Sequence, residues 1–252
     1  MLADDEDAAV EIENRSGKSR VLLTCDHAGN AIPRQLGTLG LNRDELERHI
    51  AWDIGALGVA MHLSRALDAS LVWQRYSRLV VDSNRPLSSD ELIPHTSEAT
   101  TIPGNSAISE HERNARIEHI HAPYHRAIGA VLNERELAGK ATTLLAIHSF
   151  TPTYLGQSRP WHIGVLYGDD ARLAEPALRW LQNDAEICVG DNEPYRIDGK
   201  DHTIPEHGLK RGLPHLLFEI RQDLISDETG QRSWGERLVR LVRHLEESHP
   251  TA

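Results

Sequence analysis

The stretch Leu216-Leu217-Phe218-Glu219-Ile220-Arg221 restricts the fold more than any other in the chain. Leu216, Leu217, Phe218 and Ile220 surround a single carboxylate, and both faces of the strand carry apolar residues. A strand of that kind belongs in a sheet covered on both sides, as parallel sheets are. The carboxylate of Glu219 sits near its end, where burial is costly unless the group is paired, bound to a cation or used in chemistry. Ligands of open α/β sheets lie beyond the carboxyl ends of the strands. Glu219 is therefore the first candidate for catalysis, and a salt bridge to a nearby arginine is its structural alternative.

Other short apolar runs repeat the pattern. Arg20–Cys25, Ser70–Arg75, Arg78–Asp82, Thr143–Ile147, Trp161–Tyr167 and Glu186–Val189 read as strands. Between them lie helical signals. Asn42 and Glu45 form a capping-box pair opening a helix to about Ala66, with Leu46, Ile50, Ile54, Leu57 and Met61 as its apolar stripe. Asp53 falls at the inward edge of that stripe. Ser109 and Glu112 open a second helix, with a kink expected at Pro123. Residues 169–181 form a third, and Ser233 with Glu236 opens the last. Strands alternating with helices predict a three-layer α/β/α domain with a mostly parallel or mixed sheet. Two long polar stretches, 87–108 and 191–212, read as lids or binding loops.

At 252 residues the chain can bury one full core. Residues 1–17, with Asp4, Asp5, Glu6, Asp7, Glu11 and Glu13, read as an acidic, loosely held lead-in, and residues 18–252 as a single domain. The net charge of −11 argues against nucleic-acid and membrane-surface binding, while leaving room for a small anionic substrate gripped by local arginines. Two cysteines, Cys25 and Cys188, make no disulfide framework and fit a reducing cytoplasm. No apolar run approaches the roughly 20 residues of a membrane span.

Three strand ends carry polar groups besides Glu219: His27 after Cys25, Arg85 after Asp82, and His148 after Ile147. Two strand-end histidines and a carboxylate can hold one Zn2+ with a position left for water. A second carboxylate beside that water can act as general base. His119, His121 and His125 read as lying on different faces of one helix, without a metal pair. His207, beside Gly208 in the second long loop, could reach the site, although a loop histidine is more often solvated. Cys25 reads as a small buried residue rather than a nucleophile.

Ile147-His148-Ser149-Phe150, Val81-Asp82-Ser83-Asn84-Arg85 and Phe218-Glu219-Ile220-Arg221 resemble zinc carboxypeptidase segments. Those segments carry the last zinc ligand, the carboxylate-binding Asn-Arg pair and the general-base glutamate. From about residue 20 to 248 the chain is more similar to the N-formylglutamate amidohydrolase family, a branch of the zinc-exopeptidase-like fold. That resemblance rests on Cys25-Asp26-His27-Ala28-Gly29-Asn30-x-x-Pro33, Asp82-x-Asn84-Arg85, His148-Ser149, Asn192-x-Pro194-Tyr195 and Glu219-x-Arg221-x-Asp223-Leu224. It implies a zinc-dependent amidohydrolase acting on an N-acylated acidic amino acid such as N-formylglutamate. Glu219 would be the catalytic base and His27 and His148 metal ligands. Asn84 and Arg85 would bind the substrate carboxylate, with Arg78 or Arg221 at the oxyanion or a second carboxylate. One departure stands out: the carboxypeptidases place a ligand glutamate three residues after the first histidine, and here that position is Asn30. The third ligand is Asp53 or Asn30. Asp26 ranks lower because strand alternation turns it away from His27. The alternatives are a carboxypeptidase-like hydrolase of another small peptide or N-acyl compound, and a non-catalytic anion-binding domain that has lost its metal.

Overall fold

The computed structural model describes residues 1–3 and 5–248. Asp4 of the expected lead-in and residues 249–252 of the expected domain lie outside the described residues. Seven strands make one sheet: β1 (Val10–Glu13), β2 (Val21–Cys25), β3 (Ser70–Gln74), β4 (Thr143–Phe150), β5 (Ile163–Leu166), β6 (Val189–Asp191) and β7 (His215–Arg221). Their spatial order is β1-β3-β2-β4-β7-β5-β6. β3, β2, β4 and β7 run parallel, β1 lies antiparallel at one edge, and β5 runs against β7 with β6 parallel to it. The helices are α1 (Arg43–Leu46), α2 (Ala56–Leu67), α3 (Glu110–Arg116), α4 (Ala122–Leu137), α5 (Ala174–Gln182), α6 (Thr203–His207) and α7 (Glu228–Ser248).

The apolar doublets of the strands account for the layers. Leu23, Leu145, Leu216 and Phe218 face α2, α5 and α7, packing with Leu63, Leu178 and Leu241. Their neighbours Leu22, Leu144 and Leu217 face the other way, against Tyr124, Ile128 and Val131 of α4. Strand alternation thus loads both faces and gives the mixed α/β fold expected from the sequence.

Several elements differ from the sequence reading. Part of the expected lead-in is sheet: Val10 pairs with Gln74 and Glu13 with Leu71. The expected strand 78–82 is irregular backbone, because β1 already occupies the edge of β3 that it would need. Its Leu79, Val80 and Val81 instead fill a separate core with Leu92, Ile102 and Ile120. Asn42 and Glu45 do form both halves of a capping box, but the helix stops at Leu46 and resumes only at Ala56. Gly55 makes the restart: its φ is +80°, and an added Cβ would lie 2.0 Å from the Ile225 carbonyl oxygen. The last helix begins at Glu228 rather than at Ser233, because Asp227 Oδ1 accepts from the Gly230 amide. The kink expected at Pro123 appears as a π turn over Ile117–His121 just before it.

Candidate active site

The carboxyl ends of β2, β4 and β7 meet at one buried centre. His148 and Glu219 are Cα partners on β4 and β7, so the ladder places them side by side. His27 lies two residues past β2. Asp53 comes from the irregular link between α1 and α2, and its amide donates to the His27 carbonyl at 2.9 Å. The same helix break that removed Asp53 from a regular stripe therefore lets it reach the strand ends.

Both histidines converge on Asp53. Nδ1 of His148 is 2.8 Å and Nδ1 of His27 3.3 Å from Asp53 Oδ2. The opposite ring nitrogens each meet a further carboxylate. Nε2 of His148 is 2.9 Å from Asp26 Oδ2, and Nε2 of His27 is 2.7 Å from Asp82 Oδ1. Rings held from behind by carboxylates, with their other nitrogens aimed at one point, are the arrangement of metal-ligating histidines. His27, Asp53 and His148 offer one ligand atom each within 4.8 Å of one another, so the donor set fits a zinc ion. Asn30 lies outside this group: its side-chain amide donates to the Leu46 carbonyl.

Charges here are tightly balanced. Burial opposes charging His148, but its hydrogen bonds to Asp26 and Asp53 and their charges outweigh this and raise its pKa well above the ordinary value. Burial would raise Asp26, yet the hydrogen bond and charge of His148 bring it down to about 2. Burial likewise opposes the ionised form of Asp82, and Arg78 with His27 still lowers it well below the ordinary range. Glu219 is different. Burial pushes its pKa up to about 7, and its Oε2 is buried with no hydrogen-bond partner among the described residues. A carboxyl group poised near neutrality in such a place suits proton transfer.

The centre forms the floor of a cleft of about 570 Å³, lined by His27, Asp53, Arg78, Asn84, Arg85, His148 and Glu219 and roofed by parts of both long loops. Arg78 donates to Asp82 Oδ2 through Nη2 at 2.7 Å and through Nε at 3.1 Å, and its Nη1 is 3.6 Å from Asp53. Arg85 donates to Glu91 Oε2 at 3.1 Å and approaches Asp201 at 3.8 Å. Among the described residues neither arginine forms an ion pair with Glu219, and the salt-bridge alternative for that carboxylate gives way. The Asn84 amide is engaged at both ends: Oδ1 accepts from the His202 and Thr203 amides, and Nδ2 donates to Asp201. Arg221 is not part of the cleft lining; it donates to Asp223 and to the carbonyls of Pro160 and Trp161.

The sequence reading undervalued Asp26 and Asp82. Asp26 Oδ1 accepts from Tyr124 at 2.6 Å and from Thr203 at 2.9 Å while Oδ2 holds His148. The chain leaves the strand at Cys25, so alternation no longer governs where Asp26 points.

The family model for N-formylglutamate amidohydrolase matches residues 19–226. A crystal structure of a gene product from Agrobacterium tumefaciens is 42% identical, covers 98% of each chain and superposes with a TM-score of 0.95. The N-formylglutamate amidohydrolase of Ralstonia eutropha JMP134 is 18% identical over 98% of this chain and 100% of that one, with a TM-score of 0.70, which shows a shared fold. Comparison with curated proteins returned no match. With the family model spanning most of the sequence, the chain belongs to the N-formylglutamate amidohydrolase family, a family of hydrolases.

Proposed function

We propose that the protein is a zinc-dependent amidohydrolase that cleaves the N-acyl amide of an acidic amino acid such as N-formylglutamate. The observation that carries this reading is the convergence of His27 Nδ1 and His148 Nδ1 on Asp53 Oδ2, with the unpartnered Glu219 carboxyl oxygen in the same cleft. Zinc held by His27, Asp53 and His148 would polarise the acyl carbonyl and acidify the attacking water. Glu219, whose carboxyl group lies in the same cleft with one oxygen unpartnered among the described residues, takes the water's proton and delivers it to the leaving nitrogen. Asp26 and Asp82 fix the histidine rings from behind. Arg85 receives the substrate's α-carboxylate in exchange for the exposed Glu91. Arg78, held by Asp82, supports the oxyanion or a second carboxylate, while Asn84 positions the loop that carries Asp201. A cytoplasmic setting belongs to the same proposal and agrees with Cys25 being buried and Cys188 exposed, both free.

The test is Glu219→Gln. The variant is expected to keep its zinc by elemental analysis and to lose on the order of 10²–10⁴-fold in the rate of formate release from N-formylglutamate. Wild-type turnover at neutral pH in this variant would rule out the base role. A wild-type protein that binds zinc but releases no formate would move the reading to another N-acyl substrate.

A further inference from the structure

Four histidines outside the centre described above stand together on its α4 side. His121 ends the π turn and His125 follows on α4, four residues later and on the same side, contrary to the separate faces read from the sequence. Their ring centroids are 4.5 Å apart. His202 precedes α6 and lies 4.5 Å from His125, ring to ring. His207, on α6, stacks on His125 with its Nε2 3.0 Å from His125 Nδ1.

We propose that His121, His125 and His202 form a second site for a borderline divalent cation of the zinc class. One ring nitrogen of each of the first three lies within 4.8 Å of the other two. A tetrahedral zinc with Zn–N of about 2.0–2.1 Å separates its ligand nitrogens by about 3.3 Å, which small ring rotations can reach. The tautomers are already set. His121 Nε2 donates to the Arg85 carbonyl at 3.0 Å, and His125 Nε2 donates to the Ser83 carbonyl at 2.8 Å. Each ring thereby leaves Nδ1 unprotonated, in His125 accepting from His207 Nε2 until an ion takes its place, and donation of the other ring N–H to a carbonyl is the usual support of a metal-bound histidine. Burial first, and neighbouring imidazoles second, lower the pKa of His125 well below the ordinary value, and burial brings His207 down to about 4. Burial lowers His121 and His202 as well. The rings are neutral ligands at pH 7. An imidazole-only set selects zinc-class ions over magnesium or calcium, which require oxygen.

The site joins three segments that shape the cleft. His121 and His125 belong to the helical layer, His202 to the second long loop, and the two carbonyls to Ser83–Arg85. Tyr124 and Thr203, each adjacent in sequence to one of these histidines, both donate to Asp26, which holds His148. A cation here would pin the loop bearing Tyr195, Arg196 and Asp201 over the cleft.

Protein stripped with a chelator and reloaded with Zn2+ gives the test by elemental analysis. Wild type is expected to hold about two zinc ions per chain, and His202→Asn and His148→Ala about one each, because each removes a ligand from a different site. As a folding-independent check, Zn2+ should raise the Tm of His148→Ala but not that of His148→Ala/His202→Asn. Zinc content in His202→Asn, and in His121→Asn/His125→Asn, equal to that of wild type would overturn the second site. Failure of the first site has its own signature, namely wild-type zinc content in His148→Ala with loss in His202→Asn.

Discussion

Arg85 holds its guanidinium between Glu91 and Asp201 at the rim of the cleft, on a segment stiffened by Pro86. A planar guanidinium meets a carboxylate through two parallel hydrogen bonds, whereas an ammonium offers a point charge. Arg85→Lys is therefore expected to impair substrates with a free α-carboxylate far more than their α-amides. The coupling from kcat/KM for both substrates in both proteins should be roughly 1–3 kcal/mol. Equal loss on acid and amide would mean that Arg85 only ties Asp201 and Glu91 to the sheet end. The third-ligand question separates as cleanly. Asp53→Asn should lose the zinc bound between His27 and His148, while Asn30→Ala should keep it, since the Asn30 amide donates to the Leu46 carbonyl. Elemental analysis of the two variants in the His202→Asn background reads that site alone, and zinc loss in the Asn30 variant would return the ligand role to that residue.

At the scale of elements, the centre depends on a link that is neither helix nor strand. Gly55 closes it with left-handed backbone and contacts the Ile225 carbonyl where a Cβ would stand. Gly55→Ala should cost at least about 1–2 kcal/mol for the backbone conformation alone, with more from the clash. It should also weaken zinc binding by displacing Asp53; denaturant unfolding that matches wild type would contradict this. The link also marks the limit of what the sequence made legible. His27, His148 and Glu219 could be read because each ends a run of apolar residues whose strand character is local. The helical spacing predicts Asp53 facing inward, and it does face inward, but the irregular link rather than a continuous helix carries it there. Leu79-Val80-Val81 looked like a strand because apolar sequence reports burial, not pairing, and the edge it needed is filled by Val10–Glu13. That edge strand was legible in the alternation Val10-Glu11-Ile12-Glu13, but the acidic count around it masked the period. Asp26, Asp82 and the His121–His125–His202 group depend on contacts between segments far apart in sequence, which no local pattern reports.

Over the whole molecule, the buried charges at the sheet end link folding to pH differently with and without zinc. In the zinc-free protein Glu219 titrates at about 7, against an ordinary value of 4.5. The unfolded chain releases this proton first, so the stability it contributes is present below about 4.5 and lost as pH rises to about 7. His148 is raised above its ordinary 6.5 by Asp26 and Asp53, and its contribution is likewise lost as pH rises through the folded value. Asp26, held at about 2, acts in the other sense: its contribution is present above its ordinary 3.8 and lost in acid as pH falls toward 2. Glu219 and His148 therefore draw stability from the zinc-free protein between pH 5 and 8, Glu219 by on the order of 3 kcal/mol, while His125 and His207, whose pKa values burial lowers, add stability as pH rises through their ordinary 6.5. Glu219→Gln removes that part, so its zinc-free form should overtake wild type as pH rises. Zinc replaces protons on the histidines and favours ionised carboxylates, so the loaded protein should gain stability relative to the zinc-free form as pH rises over the same interval. Denaturant unfolding at pH 5, 6, 7 and 8, with zinc and with chelator, compares the slopes. A slope more positive with zinc than with chelator is the outcome expected of a centre whose three buried ligands compete for protons and metal. Parallel slopes in the two series would mean that the carboxylates and histidines at the sheet end are a structural ion-pair network that zinc does not enter.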